Sequence, residues 1–369
     1  MNIDVVFEIL LHLPVRSLLR FIAVHKSWYY IINSPDFRKL YNLRRKNNKD
    51  EEVYLCFISD FSRPQVSLNL LDNGKSLMWY YFQHNDQRKF KYASVSVSGA
   101  VKGLVCISSP YVLGLAISNP FLGQLKNLPL PLCASTHRRQ NLYAHHVGLG
   151  FDEDYKVVQL LLCTVHSCLH ANLYSARTNS WRELDRHQDL IIQKPIKSVC
   201  KNGSFAHWEG LTRTECKKII LSFDMKNEVF RTIKISGTGD QVLDNYFRSF
   251  KDFTIFAKGE CSFVILVMDK YKLKVYESSG EGSEVIWNNV NNVSLYYFWK
   301  CNFGWTYDIP FWRNNSCVVL KGRTSREVIL YDYRVRNIIK CFKMCGRWAT
   351  GDEIMEYKII EYEGSLISP

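Results

Sequence analysis

No run in this 369-residue chain approaches the roughly 18 consecutive apolar residues that a membrane-spanning helix needs. The start, Met1-Asn2-Ile3-Asp4, lacks a basic stretch leading into an apolar core and a small-residue cleavage site, which argues against export. Only 10 prolines are present, too few for long polyproline tracts. No Gly-rich loop runs into Lys and Ser/Thr, so ATP use is not expected. Zinc-finger spacing is missing, and so is the aromatic Gly-containing strand of RNA-binding domains. Nucleic acid is therefore not an expected partner, although 48 Lys+Arg against 35 Asp+Glu leave a net charge of +13. The basic residues are dispersed, and the densest spot, Arg44-Arg45-Lys46, reads as a linker beside a helix.

What is present is apolar and aromatic. Apolar residues make up 47% and aromatics 14%, an ordinary folded composition that β-structure houses well. The 12 cysteines are scattered without tight repeated spacings, and many sit inside apolar runs, as Cys56 does in Val53-Tyr54-Leu55-Cys56-Phe57-Ile58. Such thiols behave as small hydrophobes, and the pattern points to a reducing compartment, cytosol or nucleus.

The first 43 residues read as helical. Val5, Val6, Ile9, Leu10 and Leu13 recur at near-helical spacing, and Pro14 then interrupts. Short helices follow over 17–22 and 26–32, and Pro35 opens a last one covering 37–43. Helices this short need tertiary packing. Their leftover apolar surface must meet either the next domain or another protein.

A polar run, 44–52, reads as a linker. From Val53 to the end the chain is all-β, with short apolar-aromatic strands between Gly, Asn, Asp and Ser turns. A degenerate repeat of strand, polar turn and strand runs through it. Copies lie at 116–125, 173–184, 221–231, 274–287 and 330–339. Their anchors, Leu125, Trp181, Phe230, Trp287 and Ile338, are 56, 49, 57 and 51 residues apart. A period near 50 fits the blades of a kelch-like β-propeller, about six of them. Residues 53–77 supply part of another blade, and the strand at 356–362 closes the ring against it. A two-sheet sandwich is the alternative.

Asp4 to Phe21, with Leu13-Pro14-Val15-Arg16-Ser17-Leu18-Leu19-Arg20-Phe21, and the continuation Val24-His25-Lys26-Ser27-Trp28 resemble a plant F-box. Val101-Lys102-Gly103-Leu104-Val105-Cys106, Asn119-Pro120, Gly148-Leu149-Gly150-Phe151-Asp152, Tyr155-Lys156-Val157-Val158 and Asn179-Ser180-Trp181-Arg182 are similar to the F-box-associated region of such proteins. The S-locus F-box and S-locus F-box-like branch is the most similar. Two departures stand out. Only Asn2-Ile3 precedes Asp4 where the family carries Leu-Pro, and His25 replaces a common Cys.

The resemblance implies a non-catalytic substrate receptor of an SCF-type ubiquitin ligase. It implies neither a cofactor nor a metal. The F-box would bind a Skp1-like adaptor, and through it cullin-1 and a RING protein, using Leu13, Pro14, Leu18, Leu19, Val24, Trp28 and Ile32. The β domain would hold a target protein through exposed loops, with His137, Arg138, Arg139, His187 and Asp240 as candidates. The S-locus likeness suggests a basic ribonuclease as target, which a receptor of +13 would repel at long range. An interaction module that joins no ligase stays open as the alternative. A third reading, zinc or thiol chemistry around Cys163, His166, Cys168 and His170, has less support, because an apolar strand bordering a loop accounts for that stretch.

Overall fold

The computed structural model describes residues 3–44, 52–60, 65–70, 76–81, 96–97, 100–109, 112–131, 142–163, 168–184, 189–198, 203–235, 253–260, 262–269, 272–279, 284–296, 303–304, 317–322, 327–343 and 356–369. Four helices come first: α1 (Ile3–Leu11), α2 (Val15–Phe21), α3 (Lys26–Asn33) and α4 (Pro35–Arg44). Local chemistry sets their ends. Pro14 stands at the N-cap of α2 in an extended conformation, φ −57° and ψ 147°. His25 caps α3, its Nδ1 accepting the Ser27 backbone N–H at 3.2 Å. Pro35 opens α4, where its missing N–H costs nothing, and the Ser34 hydroxyl accepts from the Phe37 N–H at 3.3 Å. The departure at His25 is therefore a working helix cap.

The strands fall into four-stranded antiparallel units. The first holds β1 (Glu52–Asp60), β2 (Gln65–Leu70) and β3 (Ser76–Tyr81). The second is β4 (Ser96–Val97), β5 (Val105–Ser109), β6 (Val112–Asn119) and β7 (Gln124–Asn127). The third is β8 (Leu142–Phe151), β9 (Tyr155–Cys163), β10 (Cys168–Ser175) and β11 (Ser180–Glu183). Next come β12 (Leu190–Ser198), β13 (Phe205–Thr212), β14 (Lys218–Asp224) and β15 (Val229–Ile235). They are followed by β16 (Phe253–Ala257), β17 (Phe263–Asp269), β18 (Lys272–Ser279) and β19 (Glu284–Ser294). The last unit is β20 (Phe303–Gly304), β21 (Cys317–Gly322), β22 (Glu327–Asp332) and β23 (Asn337–Lys343). The final strand, β24 (Glu356–Glu363), returns to pair with β1 from Glu52↔Glu363 to Ser59↔Glu356. The first unit is thus completed by the end of the chain, as expected from the sequence, and its edge is covered.

The fourth and fifth units are also joined edge to edge. Parallel pairs link β12 to β16 (Lys197↔Phe256, Ser198↔Ala257) and β15 to β19 (Lys234↔Glu284, Ile235↔Val285), closing an eight-stranded ring. The blade-like repeat did not anticipate this junction.

Each repeat copy seen in the sequence is the hairpin of a unit's third and fourth strands, and each anchor lies on the fourth. Four of these hairpins share one register: Ser118↔Leu125, Tyr174↔Trp181, Phe223↔Phe230 and Tyr331↔Ile338. The residue two before each anchor is left-handed, at Gly123 (φ 62°), Asn179 (49°), Glu228 (58°) and Arg336 (55°). A carboxylate or amide opens three of the turns and takes two backbone N–H groups. Asn119 Oδ1 accepts from Phe121 and Leu122, Asp224 Oδ1 from Lys226 and Asn227, and Asp332 Oδ1 from Arg334 and Val335. For Asp224, partial burial opposes ionisation, but these N–H groups, the Asn227 amide and Arg231 overcome it and hold the carboxyl below its ordinary value.

The core lies between units. Leu104, Cys106 and Ile117 of the second pack on Val147, Leu149, Val157, Tyr174 and Trp181 of the third. The third unit's other face, with Val158, Leu160 and Leu173, packs on Trp208, Leu221 and Phe223 of the fourth. Strands buried on both faces read as unbroken apolar runs rather than alternating ones, as in Ile219-Ile220-Leu221-Ser222-Phe223. Cys106 confirms its thiol as core filler, since burial pushes its pKa up to about 12.

His207 on β13 is buried among rings, 5.2 Å from Phe263 and 6.2 Å from Phe205. Desolvation lowers its pKa from 6.5 to about 4, against a backbone hydrogen bond at Gly259 that raises it. Between those values the unfolded chain holds a proton that the folded chain refuses. This contribution is therefore fully present above pH 6.5, falls as pH drops, and levels off below about 4. The loss should total about 3 kcal/mol. Urea unfolding at pH 7 and pH 4.5 checks it, because His207→Phe should flatten the slope and an unchanged slope would remove His207 as its source.

Candidate functional site

The helical unit has its own small core of Val6, Leu10, Leu11, Val15, Leu18, Ile32, Phe37 and Tyr41. Leu18 and Ile32, two of the residues expected at an adaptor surface, are fully buried in it. They hold the helices together, because alternate turns of such short amphipathic helices must face inward. Leu13, Leu19 and Trp28 are half-buried against the same core, with the Trp28 ring 5.1 Å from Phe21. Pro14 and Val24 are exposed, Val24 at 63%. Sequence reading missed the rest of the apolar exposure: Ile3, Val5 and Ile9 on α1, Tyr29 and Tyr30 on α3, and Leu40 and Leu43 on α4. The spacing of Val5 and Ile9, four residues apart, was the available signal.

The unit does not stand alone. Leu366, from the tail beyond β24, is part of its core, and Phe121 and Leu122 from the β6–β7 turn pack against it. Arg16 lies over the Phe121 ring, 5.3 Å from its centroid. Arg38 donates to the Ser368 hydroxyl at 3.0 Å, and the Asn42 side chain accepts from the Leu366 N–H at 3.4 Å. Ile367 reaches the core between the second and third units.

Asn119 holds this tail. Its Nδ2 donates to the Ser365 carbonyl (3.0 Å) and the Ile367 carbonyl (2.9 Å). Besides its own turn, Oδ1 accepts from the Tyr362 hydroxyl at 2.9 Å, which also sits 2.8 Å from the Gly103 carbonyl. Gly103 has a φ of 76°, and a Cβ there would fall 2.2 Å from the Ser365 Oγ. The Gly-Leu-Val-Cys and Asn-Pro motifs thus converge on one tail that ties the helices to the β domain.

A cleft of about 620 Å³ opens among the turns. Lys102, Phe151, Asp152, Asp224, Lys226 and Arg231 are among the residues lining it. Its walls come from turns between first and second, or third and fourth, strands and from the strand ends beside those turns, with Arg231 reaching in from β15. The helical unit meets the same class of turn at Phe121 and Leu122. Cleft and helical unit therefore share one end of the β domain. Within it Arg231 pairs with Glu260, and beside it Lys156 bridges Asp152 (3.3 Å) and Glu228 (2.8 Å).

The residues expected to hold a target, His137, Arg138, Arg139, His187 and Asp240, lie outside the described residues, as does His166.

Comparison with known proteins gives two family matches. Residues 1–40 match the F-box domain, and residues 58–251 match the F-box associated beta propeller domain. An Arabidopsis thaliana F-box protein is 28% identical over 257 residues, covering 64% of this chain and 61% of the relative. An F-box/kelch-repeat protein of the same plant is 29% identical over 225 residues, covering 56% of this chain and 95% of the relative. A putative F-box/kelch-repeat protein, also from Arabidopsis thaliana, is 21% identical, covering 81% and 73%. The chain spans about three fifths of the length of the first of these relatives, 61%, and 60% of a further putative F-box protein of Arabidopsis thaliana to which it is 27% identical. Among solved structures, the Dos1 propeller aligns at TM-score 0.40 and 12% identity, covering 78% of this chain and 67% of that one. TolB from Acinetobacter baumannii aligns at TM-score 0.36 and 11% identity, covering 77% and 68%.

Proposed function

The chain belongs to the F-box proteins whose β domain is an F-box-associated β-propeller, and on that premise we propose that it is the substrate receptor of an SCF-type ubiquitin ligase. The F-box binds a Skp1-like adaptor, which brings cullin-1 and a RING protein. The propeller holds the target, and ubiquitin reaches the target from the assembled ligase. The receptor supplies placement and no bond-making chemistry of its own. It works in the cytosol or nucleus.

One observation carries this reading. A helical unit too small to hide its apolar residues is fixed to a large β domain, and Ile9, Val24, Tyr29 and Tyr30 are left facing water. Exposure of that kind on a small helical unit suits a partner's helix. Pro14 and Val24 remain the adaptor contacts of choice from the original set, with Leu13, Leu19 and Trp28 at their base. The net charge of +13 favours an acidic or neutral target over a basic S-locus ribonuclease.

Co-expression with a Skp1-like adaptor, read by size exclusion with light scattering, tests the assignment. The expected result is a one-to-one complex. Val24→Asp should weaken it at least about tenfold while leaving the melting temperature unchanged, since Val24 lies at the surface. Leu13 is a poorer choice for this test, because its side chain packs against the helical core. Absence of a complex with several adaptors would turn the reading to a stand-alone interaction module.

A further inference from the structure

On the premise that the chain is a substrate receptor, we infer that the cleft beside the helical unit is where the target docks, and that the segment it takes is an acidic peptide anchored by Lys226. The cleft holds about 620 Å³, within the range of about 300–1,000 Å³ common to ligand pockets. That admits a short stretch of chain and no folded domain.

The lining is formally balanced, with Asp152, Asp224 and Glu260 against Lys102, Lys226 and Arg231. What selects the ligand is which of these are already engaged. Asp152 lies 3.3 Å from the Lys156 ammonium. Asp224 Oδ1 accepts the Lys226 and Asn227 backbone N–H groups at 2.8 and 3.0 Å, and Oδ2 accepts from the Asn227 amide at 2.7 Å. Glu260 pairs with Arg231, which also stands 3.9 Å from Asp224. Lys102 lies over the Phe151 ring, its ammonium 4.5 Å from the centroid. The Lys226 side chain is exposed and makes no ion pair or hydrogen bond with any described residue. The carboxylates are therefore occupied while an ammonium stays open. A basic segment would first have to displace Lys156 or Arg231 from their partners. An acidic one meets Lys226 directly. The net charge of +13 draws it in from a distance.

The site is also preformed. Asp224 bonds back onto the turn that carries Lys226. Between them Met225 is fully buried, its N–H on the Ser204 carbonyl at 2.9 Å and its own carbonyl accepting from the Lys156 ammonium at 2.7 Å. The Phe151 N–H, 2.7 Å from the Gly203 carbonyl, joins the third and fourth units at the same place. A backbone held this way needs little ordering when a ligand arrives. Half-buried Phe205 adds an apolar surface to the wall, for a side chain beside the acidic one.

The test uses the full chain and a short fluorescein-labelled peptide in which glutamates flank a single leucine, followed by fluorescence polarisation. Saturable binding that weakens as salt rises is expected. Lys226→Glu should weaken it about tenfold or more without moving the melting temperature, because the side chain is exposed. Lys272→Glu is the control. It makes the same change in net charge at the exposed start of β18, at the far end of β17 from Glu260, and should leave binding nearly unchanged. The peptide with lysines in place of its glutamates should bind the native chain poorly and gain affinity for Lys226→Glu. Equal losses in Lys226→Glu and Lys272→Glu, or no saturable binding, would overturn the assignment of the cleft. Co-expression with a Skp1-like adaptor separates this from the receptor reading. Lys226→Glu should still form the adaptor complex, which supports a docking role confined to the cleft. A native chain that binds the peptide but holds no adaptor would overturn the receptor premise, and with it the assignment of the bound peptide as a target.

Discussion

Asn119→Ala should detach the F-box from the propeller while leaving the two folds individually recognisable. The side chain is fully buried and serves two carbonyls, two backbone N–H groups and a tyrosine hydroxyl. Alanine would leave most of these without a partner, at about 1–3 kcal/mol for each group that water cannot reach. A total near 4 kcal/mol is expected, or a fall of about 5 °C in Tm for a chain of this size. The larger signature is regional. Residues 364–369 would lose their grip, Leu366 would leave the helical core, and short helices without tertiary support would fray. Hydrogen exchange should therefore rise across α1 to α4 and stay low in β13 and β14. Uniform destabilisation of both regions would contradict this account of Asn119 as the tie between them.

Gly150→Val should be the most damaging change in the third unit. The glycine has no unusual backbone angle, and its reason is space. A Cβ there would sit 2.5 Å from the Gly203 carbonyl oxygen and 2.6 Å from Met225 Cγ and Cε. The seam is closed by the Phe151 N–H, which donates to that same carbonyl at 2.7 Å. Backbone on backbone cannot give way as a side-chain tip can, so two units would be forced apart. A loss of about 3 kcal/mol or more is expected, seen as a lower urea midpoint. Gly123→Ala is the comparison. It has a φ of 62° but open space around it, and its cost should stay at about 1–2 kcal/mol, from backbone strain alone. Equal losses in the two variants would rule out the seam as the cause.

Much of this architecture could be read before any coordinates. The helical start followed its apolar spacing and its prolines, with α2 beginning two residues earlier than expected, at Val15. The repeat was legible because one hairpin geometry recurs: an opening side chain that caps the turn, a left-handed residue, then a bulky anchor. That geometry is local, so it leaves a local trace. The closing strand at 356–362 also announced itself, since an apolar β-strand at the end of an all-β chain needs a partner. The candidate site was less legible. Leu18 and Ile32 belong to the same motif as Pro14 and Val24, and a motif does not say which of its members face inward.

The sequence by itself determined the family, the division into helices and strands, and the hairpin that recurs about every 50 residues, because each depends on neighbours within a few positions. Tertiary structure alone decided why the motif residues are what they are. Gly103, Asn119 and Tyr362 meet only because the chain's end returns across the propeller, with hydrogen bonds joining positions 243 and 259 residues apart. Cys168, His170 and Glu183 come together through strand register, and Gly150 meets Gly203 across a seam between units. Register and unit packing are set by the summed burial of many residues. No short stretch of sequence contains that sum.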